Sequence, residues 1–167
     1  MLEIINNLKP FFENCYDRIS VRQYARLVRI SPPTASSLLK GFEKDGLLMK
    51  EKDRNYIMFS ANKKGKDFIM LSRIYWQKRL GELTEAAEES GATAAVLFGS
   101  LSKAEARSES DIDLAVFGSE KINLKQFEEK IGREIHAFWY DSMKDTGELR
   151  NNIINGHILS GELKWKK

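Results

Sequence analysis

Apolar positions in the first part of the chain recur at helical spacing. Leu2, Ile5, Leu8 and Phe12 share one face over residues 2–15, and Val21, Tyr24, Ala25 and Val28 share one over 21–30. Ser20 stands before the second run and Ser31-Pro32 before the third, which are the residue types that cap a helix and fill its first position. The third run turns Ala35, Leu38, Leu39 and Phe42 inward and is predicted to stop at Gly46. Gly41 inside it weakens the helix, and close packing is the expected reason. Two short strand-like runs, Leu47 to Lys50 and Tyr56 to Ser60, flank a charged turn, Glu51-Lys52-Asp53-Arg54-Asn55.

Residues 62–90 read as one long helical pattern, with Ile69, Trp76, Leu80, Leu83 and Ala87 as its stripe. Glu82, Glu85, Glu88 and Glu89 leave the other side polar, and Gly91 closes it. The stripe either packs on the sheet that follows or forms a seam between two copies of the chain. Ala94 to Phe98 and Leu114 to Phe117 are short apolar runs bounded by Gly and Ser, the pattern of buried strands. Asn123 is the expected cap of an amphipathic helix carrying Leu124, Phe127 and Ile131 and ended by Gly132. Arg133 to Tyr140 reads as a third strand and 142–155 as a last helix, with Leu149, Ile153 and Ile154 inward. His157 to Leu159 then adds a short strand or closes the domain, with His157 structural.

Composition changes this picture little, but charge does. The 167 residues suffice for one ordinary domain or two small ones, and 42% apolar with 31% charged residues is ordinary for a soluble globular chain. The single cysteine, Cys15, permits no internal disulfide, reads as a helix core residue and makes a reducing cytoplasm the expected location. No apolar run approaches membrane-spanning length, and residues 1–20 lack a secretory apolar core. Residues 1–66 hold 13 Lys/Arg against 7 Asp/Glu, whereas residues 67–167 hold 14 against 17. A basic first part beside an acidic second part suggests two domains, the first facing a polyanion.

The candidate chemistry lies in AAVLFGSLSKAEARSESDIDLAVFG, residues 94–118. Asp111 and Asp113 stand two apart at the start of a strand, so both carboxylates point the same way. Like charges held side by side repel unless a cation lies between them, and hard oxygen donors suit Mg²⁺. Gly99 allows close backbone approach to a ligand, and Ser100 offers a hydroxyl and an N–H to a phosphate oxygen.

Gly99-Ser100, a ten-residue linker, and Asp111-Ile112-Asp113 together closely resemble the signature of the minimal nucleotidyltransferase family, in the DNA polymerase β-like superfamily. Glu105, Ala106, Arg107, Ser110, Ile112 and Leu114 also match the residue types usual there. Leu101 and Lys103 depart from it, where Arg is common, as does Ala104, where Gly is common. The resemblance covers roughly residues 90–161. It implies that Asp111 and Asp113 are catalytic and hold Mg²⁺, and that the substrate is a nucleoside triphosphate, with ATP expected. Gly99 and Ser100 would hold the triphosphate, with Lys103, Arg107 and Ser110 beside it. Nucleotidyl transfer is the implied reaction: an acceptor attacks the α-phosphate and pyrophosphate leaves. Some members are antitoxins that add AMP to a helical toxin, so a protein acceptor is among the implied partners. The family commonly places a third carboxylate on the next strand. Here His136 stands near that position and Glu134 lies two residues earlier on the same strand face, so either is a possible third site residue.

The first part, ISPPTASSLLKGFEKDGLLMKEKDRNYIMFSA, resembles archaeal and bacterial winged-helix regulators over roughly residues 1–66. That implies DNA binding through Pro33, Thr34, Ser36, Ser37 and Lys40 on the third helix. Arg22, Arg26, Arg29, Lys50, Lys52 and Arg54 would meet phosphates. A winged helix used for protein contacts or for a homodimer is the alternative. The expected architecture is thus α+β in two domains: a winged helix over 1–66, a linker helix over 67–90, and a nucleotidyltransferase domain with a small mixed sheet over 91–167. The expected function is a cytoplasmic, Mg²⁺-dependent nucleotidyltransferase guided to DNA. The alternative is a transcription regulator whose second domain only binds or senses nucleotide.

Overall fold

The structure, a computed structural model, describes residues 2–118 and 120–164, apart from the side chain of Leu2. It is mixed α and β and divides into two compact units. One takes in Met1–Tyr75 with Ala104–Ser108, the other Trp76–Lys103 with Glu109–Lys167.

The first unit begins with helix α1 (Leu2–Glu13), which contains Pro10. Ile5, Leu8, Phe11 and Phe12 are buried, so Phe11 joins the expected face, while Leu2 lies outside the described side chains. Cys15 is buried as expected but sits past the end of α1, its Sγ 3.9 Å from the Phe12 carbonyl. Strand β1 (Ile19–Ser20), which the pattern did not predict, leads straight into α2 (Val21–Val28). Ser20 and Gln23 form a reciprocal capping box at that start. Burial pushes the Tyr24 hydroxyl up to about 12, and it donates to the Asn7 carbonyl at 2.8 Å. Helix α3 (Pro32–Lys44) opens on Ser31, whose hydroxyl accepts from the Thr34 N–H, with proline in the first turn. Gly41 on α3 faces open space, with no atom within 4 Å of where a Cβ would stand, so close packing does not explain it.

Strands β2 (Leu48–Asp53) and β3 (Tyr56–Ala61) form a hairpin whose first strand is longer than expected, because its pairing runs past Lys50 to Asp53, opposite the expected strand start at Tyr56. Only Arg54 and Asn55 are left to turn, and Arg54 adopts a φ of +52°. Arg18 pairs with Glu51 and with Asp53, tying the charged end of β2 down. β1 adds to β3, giving an antiparallel sheet ordered β1-β3-β2.

The expected helix over 62–90 is two helices, α4 (Lys66–Arg79) and α5 (Gly81–Glu89), separated at Leu80. Gly81, a weak helix former, stands at the break. Trp76, Leu80, Leu83 and Ala87 of the predicted stripe are buried, and Ile69 is half-buried. The second unit is built on a sheet ordered β6-β5-β4-β7. Strands β4 (Ala94–Phe98) and β5 (Ile112–Phe117) are antiparallel neighbours, joined through helix α6 (Gly99–Ser102). Helix α7 (Lys125–Ile131) returns the chain to β6 (Ile135–Tyr140), which runs parallel to β5. The cap position of α7 is Leu124, one residue past the expected Asn123, whose side chain still accepts from the Lys125 N–H at 3.1 Å.

The expected helix over 142–155 is reduced to a 3₁₀ turn at Gly147–Leu149 and helix α8 (Arg150–Ile154). Ser142 binds the Asp145 carboxylate through its N–H and its hydroxyl, and Gly147 has a φ of +52°, so helix cannot begin earlier. Strand β7 (His157–Gly161) completes the sheet beside β4. Ala94, Val96, Phe98, Ala115 and Phe117 form one buried sheet face under Met143 and Ile153. Ala95, Leu97, Leu114 and Val116, which alternate with them, are buried too, so the central strands β4 and β5 are covered on both sides. No described helix is long and apolar enough to cross a membrane.

Candidate active site

The end of β4 and the start of β5 meet at a carboxylate. Register pairs Asp113 with Phe98 on one side and with His136 of β6 on the other. Asp111 lies two residues earlier, and both acidic side chains are half-buried. Gly99 turns the chain out of β4 at a φ of +71°, and a Cβ there would overlap the Asp113 carboxylate, with Asp113 Cγ only 3.0 Å away. Glycine is therefore needed twice, for the left-handed backbone and for the space that the carboxylate fills. Burial pushes the Asp113 carboxyl above the usual range, the His136 ring opposes that, and the Asp111 charge adds to it.

His136 stands where the two carboxylates converge. Its Nδ1 lies 3.9 Å from Asp111 Oδ2 and 3.9 Å from Asp113 Oδ1, too far for a hydrogen bond to either. Its Nε2 lies 3.2 Å from Glu134 Oε1. An ionised carboxylate only accepts, so Nε2 carries the hydrogen of that bond. Glu134 itself is exposed, with 69% of its side-chain surface open.

The remaining predicted residues divide. Ser100 is half-buried in the first turn of α6, and Lys103 is exposed at its end. Ala104, standing where Gly is usual in the resembling family, has a φ of +56°, the backbone region that favours glycine. Arg107 belongs to the first unit, where its guanidinium lies over the Tyr16 ring at 3.9 Å and Lys63 Nζ lies over the same ring at 3.3 Å. Ser110 contributes its carbonyl, which accepts from Arg133 Nη1 at 2.6 Å. Arg133 is buried and also lies over Trp76, with its guanidinium 5.3 Å from the ring centre. Together with the Ile112 N–H to Glu134 carbonyl bond of 2.9 Å, Arg133 fixes the entry to β5 and so the placement of Asp111. Nothing in the sequence pattern marked Arg133, which reads as one more charge after a helix-ending glycine.

In the first unit Pro33, Thr34, Ser37 and Lys40 are exposed on α3, and Ser36 is half-buried. The Thr34 hydroxyl is 2.8 Å from that of Ser31, so it also serves the helix cap. Lys52 and Arg54 are exposed at the hairpin end, Arg22, Arg26 and Arg29 are exposed on α2 and its C-cap, and Lys50 reaches Glu43 at 3.5 Å.

The donor set suits one hard cation. Mg²⁺ keeps several waters and is commonly held by one or two carboxylates together with substrate phosphates, which Asp111 and Asp113 can provide. Among the described residues no group of three His, Cys, Asp or Glu side chains is arranged to hold a metal ion by itself.

Residues 82–159 match the family model for the polymerase beta nucleotidyltransferase domain. The match spans β4, β5 and β6, and with them Gly99, Asp111, Asp113 and His136, and supports the nucleotidyltransferase superfamily for this part of the chain. Neither a curated protein nor a solved structure matches the chain.

Proposed function

We propose that this protein is a nucleotidyltransferase that takes ATP as its Mg²⁺ complex, passes AMP to an acceptor, and is held on DNA by an N-terminal winged helix. The observation that carries the reading is the pair Asp111 and Asp113 converging beside Gly99, within the segment that matches a nucleotidyltransferase family model. Asp111 and Asp113 would hold the cation, and the cation, when bound, neutralises charge on the phosphates. Gly99 leaves the space that the Asp113 carboxylate fills, and Arg133 holds the backbone that presents Asp111. Gly99 and Ser100 supply the small, polar turn that a triphosphate approaches. In the transfer, an acceptor oxygen bonds to the α-phosphorus, the bond from that phosphorus to the bridging oxygen breaks, pyrophosphate leaves, and the acceptor proton passes to solvent. The protein contributes placement and charge, not a covalent step.

The winged-helix reading is supported by the order α1, β1, α2, α3 and a β2–β3 hairpin, by the exposed face of α3, and by the basic balance of residues 1–66. Lys52 and Arg54 would meet phosphates there, with Lys40 among the groove-facing residues of α3. A regulator that binds nucleotide without turning it over is the second reading. His136 favours it, because an imidazole faces the two carboxylates from β6.

Calorimetric titration of ATP with and without Mg²⁺, on the wild type and on Asp113→Ala, tests the site. Binding that needs Mg²⁺ and is lost in the variant is the expected outcome; Mg²⁺-independent binding, or none, removes the proposal. Transfer of α-labelled nucleotide to an acceptor then separates enzyme from sensor.

A further inference from the structure

We infer that this site takes a single divalent cation with its nucleotide, and that His136 is the residue that excludes a second. The inference rests on the nucleotidyltransferase reading above. Two-metal sites hold their ions about 3.5–4 Å apart, so the protein must supply enough negative charge to offset strong repulsion between them. Here Asp113 on β5 and Asp111 just before that strand supply two carboxylates, and the position on β6 in register with Asp113 is His136. Imidazole adds no negative charge in either of its protonation states, and it is a poorer ligand for Mg²⁺ than carboxylate or water.

The neighbouring acid does not make good the loss. Glu134 stands just before β6, two residues from His136, but its carboxylate accepts from His136 Nε2 at 3.2 Å and is turned to solvent, with 69% of its side-chain surface exposed. The Nδ1 edge of the ring faces Asp111 and Asp113 at 3.9 Å from each. The ring thus occupies the side of the carboxylate pair from which a further acidic donor would approach. No third acid is set among the described residues to complete a metal-holding group. One cation is what this donor set supports, and Asp111 and Asp113 are the residues that would hold it.

The test is a cation count by electron paramagnetic resonance, with Mn²⁺ as the probe and a non-hydrolysable ATP analogue present, on the full chain. The wild type is expected to show one Mn²⁺ per protein with the spectrum of an isolated ion. His136→Asp is expected to take up a second Mn²⁺ and to show the spin-coupled spectrum of a close pair. Glu134→Gln is expected to leave the wild-type count unchanged. A coupled pair in the wild type overturns the inference, as does a fall in the count in Glu134→Gln or a count of one in His136→Asp. Mn²⁺ bound to none of the three proteins overturns the nucleotidyltransferase reading with it, an outcome distinct from the others. His136 lies on a half-open strand surface, with 45% of its side chain exposed, so the aspartate variant does not disturb a core.

Discussion

Replacing Gly99 with alanine should damage the site more than the fold. Two strains arise together. A non-glycine residue at φ +71° pays the left-handed penalty, about 1–2 kcal/mol. The new methyl would also overlap the Asp113 carboxylate, and with Asp113 Cγ at 3.0 Å and Cβ at 3.3 Å, swinging the oxygens aside relieves only part of the contact. The low-energy response is a change of the whole Asp113 rotamer, which takes its carboxylate away from Asp111. Thermal unfolding should then shift down by about 2–4 °C per kcal/mol lost. If about 1.4 kcal/mol falls on rearranging the carboxylate pair, calorimetric affinity for Mg²⁺–ATP drops about tenfold, and more if Asp113 leaves the cation altogether. A Gly99→Ala protein that unfolds at a lower temperature yet binds Mg²⁺–ATP like the wild type would refute the argument, because the strain would then have been absorbed away from Asp113.

Gly41→Ala makes the opposite case: the site is open and helical, so stability in urea should rise by about 0.5–1 kcal/mol. Ser31→Ala removes the side-chain acceptor for the Thr34 N–H and should lower stability by about 1 kcal/mol, measured the same way. Asp113→Asn should stabilise the metal-free protein at neutral pH. Burial raises the folded-state pKa of Asp113 above its unfolded value, so ionising it opposes folding above the folded pKa, and that opposition fades as pH falls through the folded pKa toward the unfolded one. Denaturant curves for both proteins should therefore differ at pH 7 and converge in acid; a gap that widens in acid would contradict the sign.

Much of the candidate site was legible because its chemistry is local in sequence. The strands at Ala94–Phe98 and Ile112–Phe117 are short apolar runs, and extended chain with a spacing of two, from Asp111 just before the second strand to Asp113 on it, turns both carboxylates toward one side without knowledge of the rest of the fold. The capping signals at Ser20 and Ser31 were equally local. What failed depended on partners distant in sequence or on weak breakers. The helix expected over 142–155 is broken by the Ser142–Asp145 turn and by Gly147, where helical and turn preferences compete. The break at Leu80 left no hydrophobic signature, since the stripe stays in phase across it. Strand β1 is two residues long and exists only because β3 offers an edge. The roles of Arg133 and Tyr16 come entirely from what faces them, a carbonyl at 2.6 Å in one case and two cations in the other.

The short segment Ala104–Ser108 has one more implication. Although it lies inside the Gly-Ser to Asp-x-Asp signature, it belongs to the first unit, where the Cys15 N–H donates to the Ala106 carbonyl at 2.8 Å. The polypeptide therefore passes from one unit to the other three times, after Tyr75, Lys103 and Ser108. No single cut in the gene can yield both units whole. A fragment starting at Trp76 carries five residues that have lost their packing partners, and a fragment ending at Tyr75 lacks a piece of its own body. Loss of nucleotide binding in such a fragment would report an unmoored loop, so point substitutions in the intact chain are the sound way to dissect this protein.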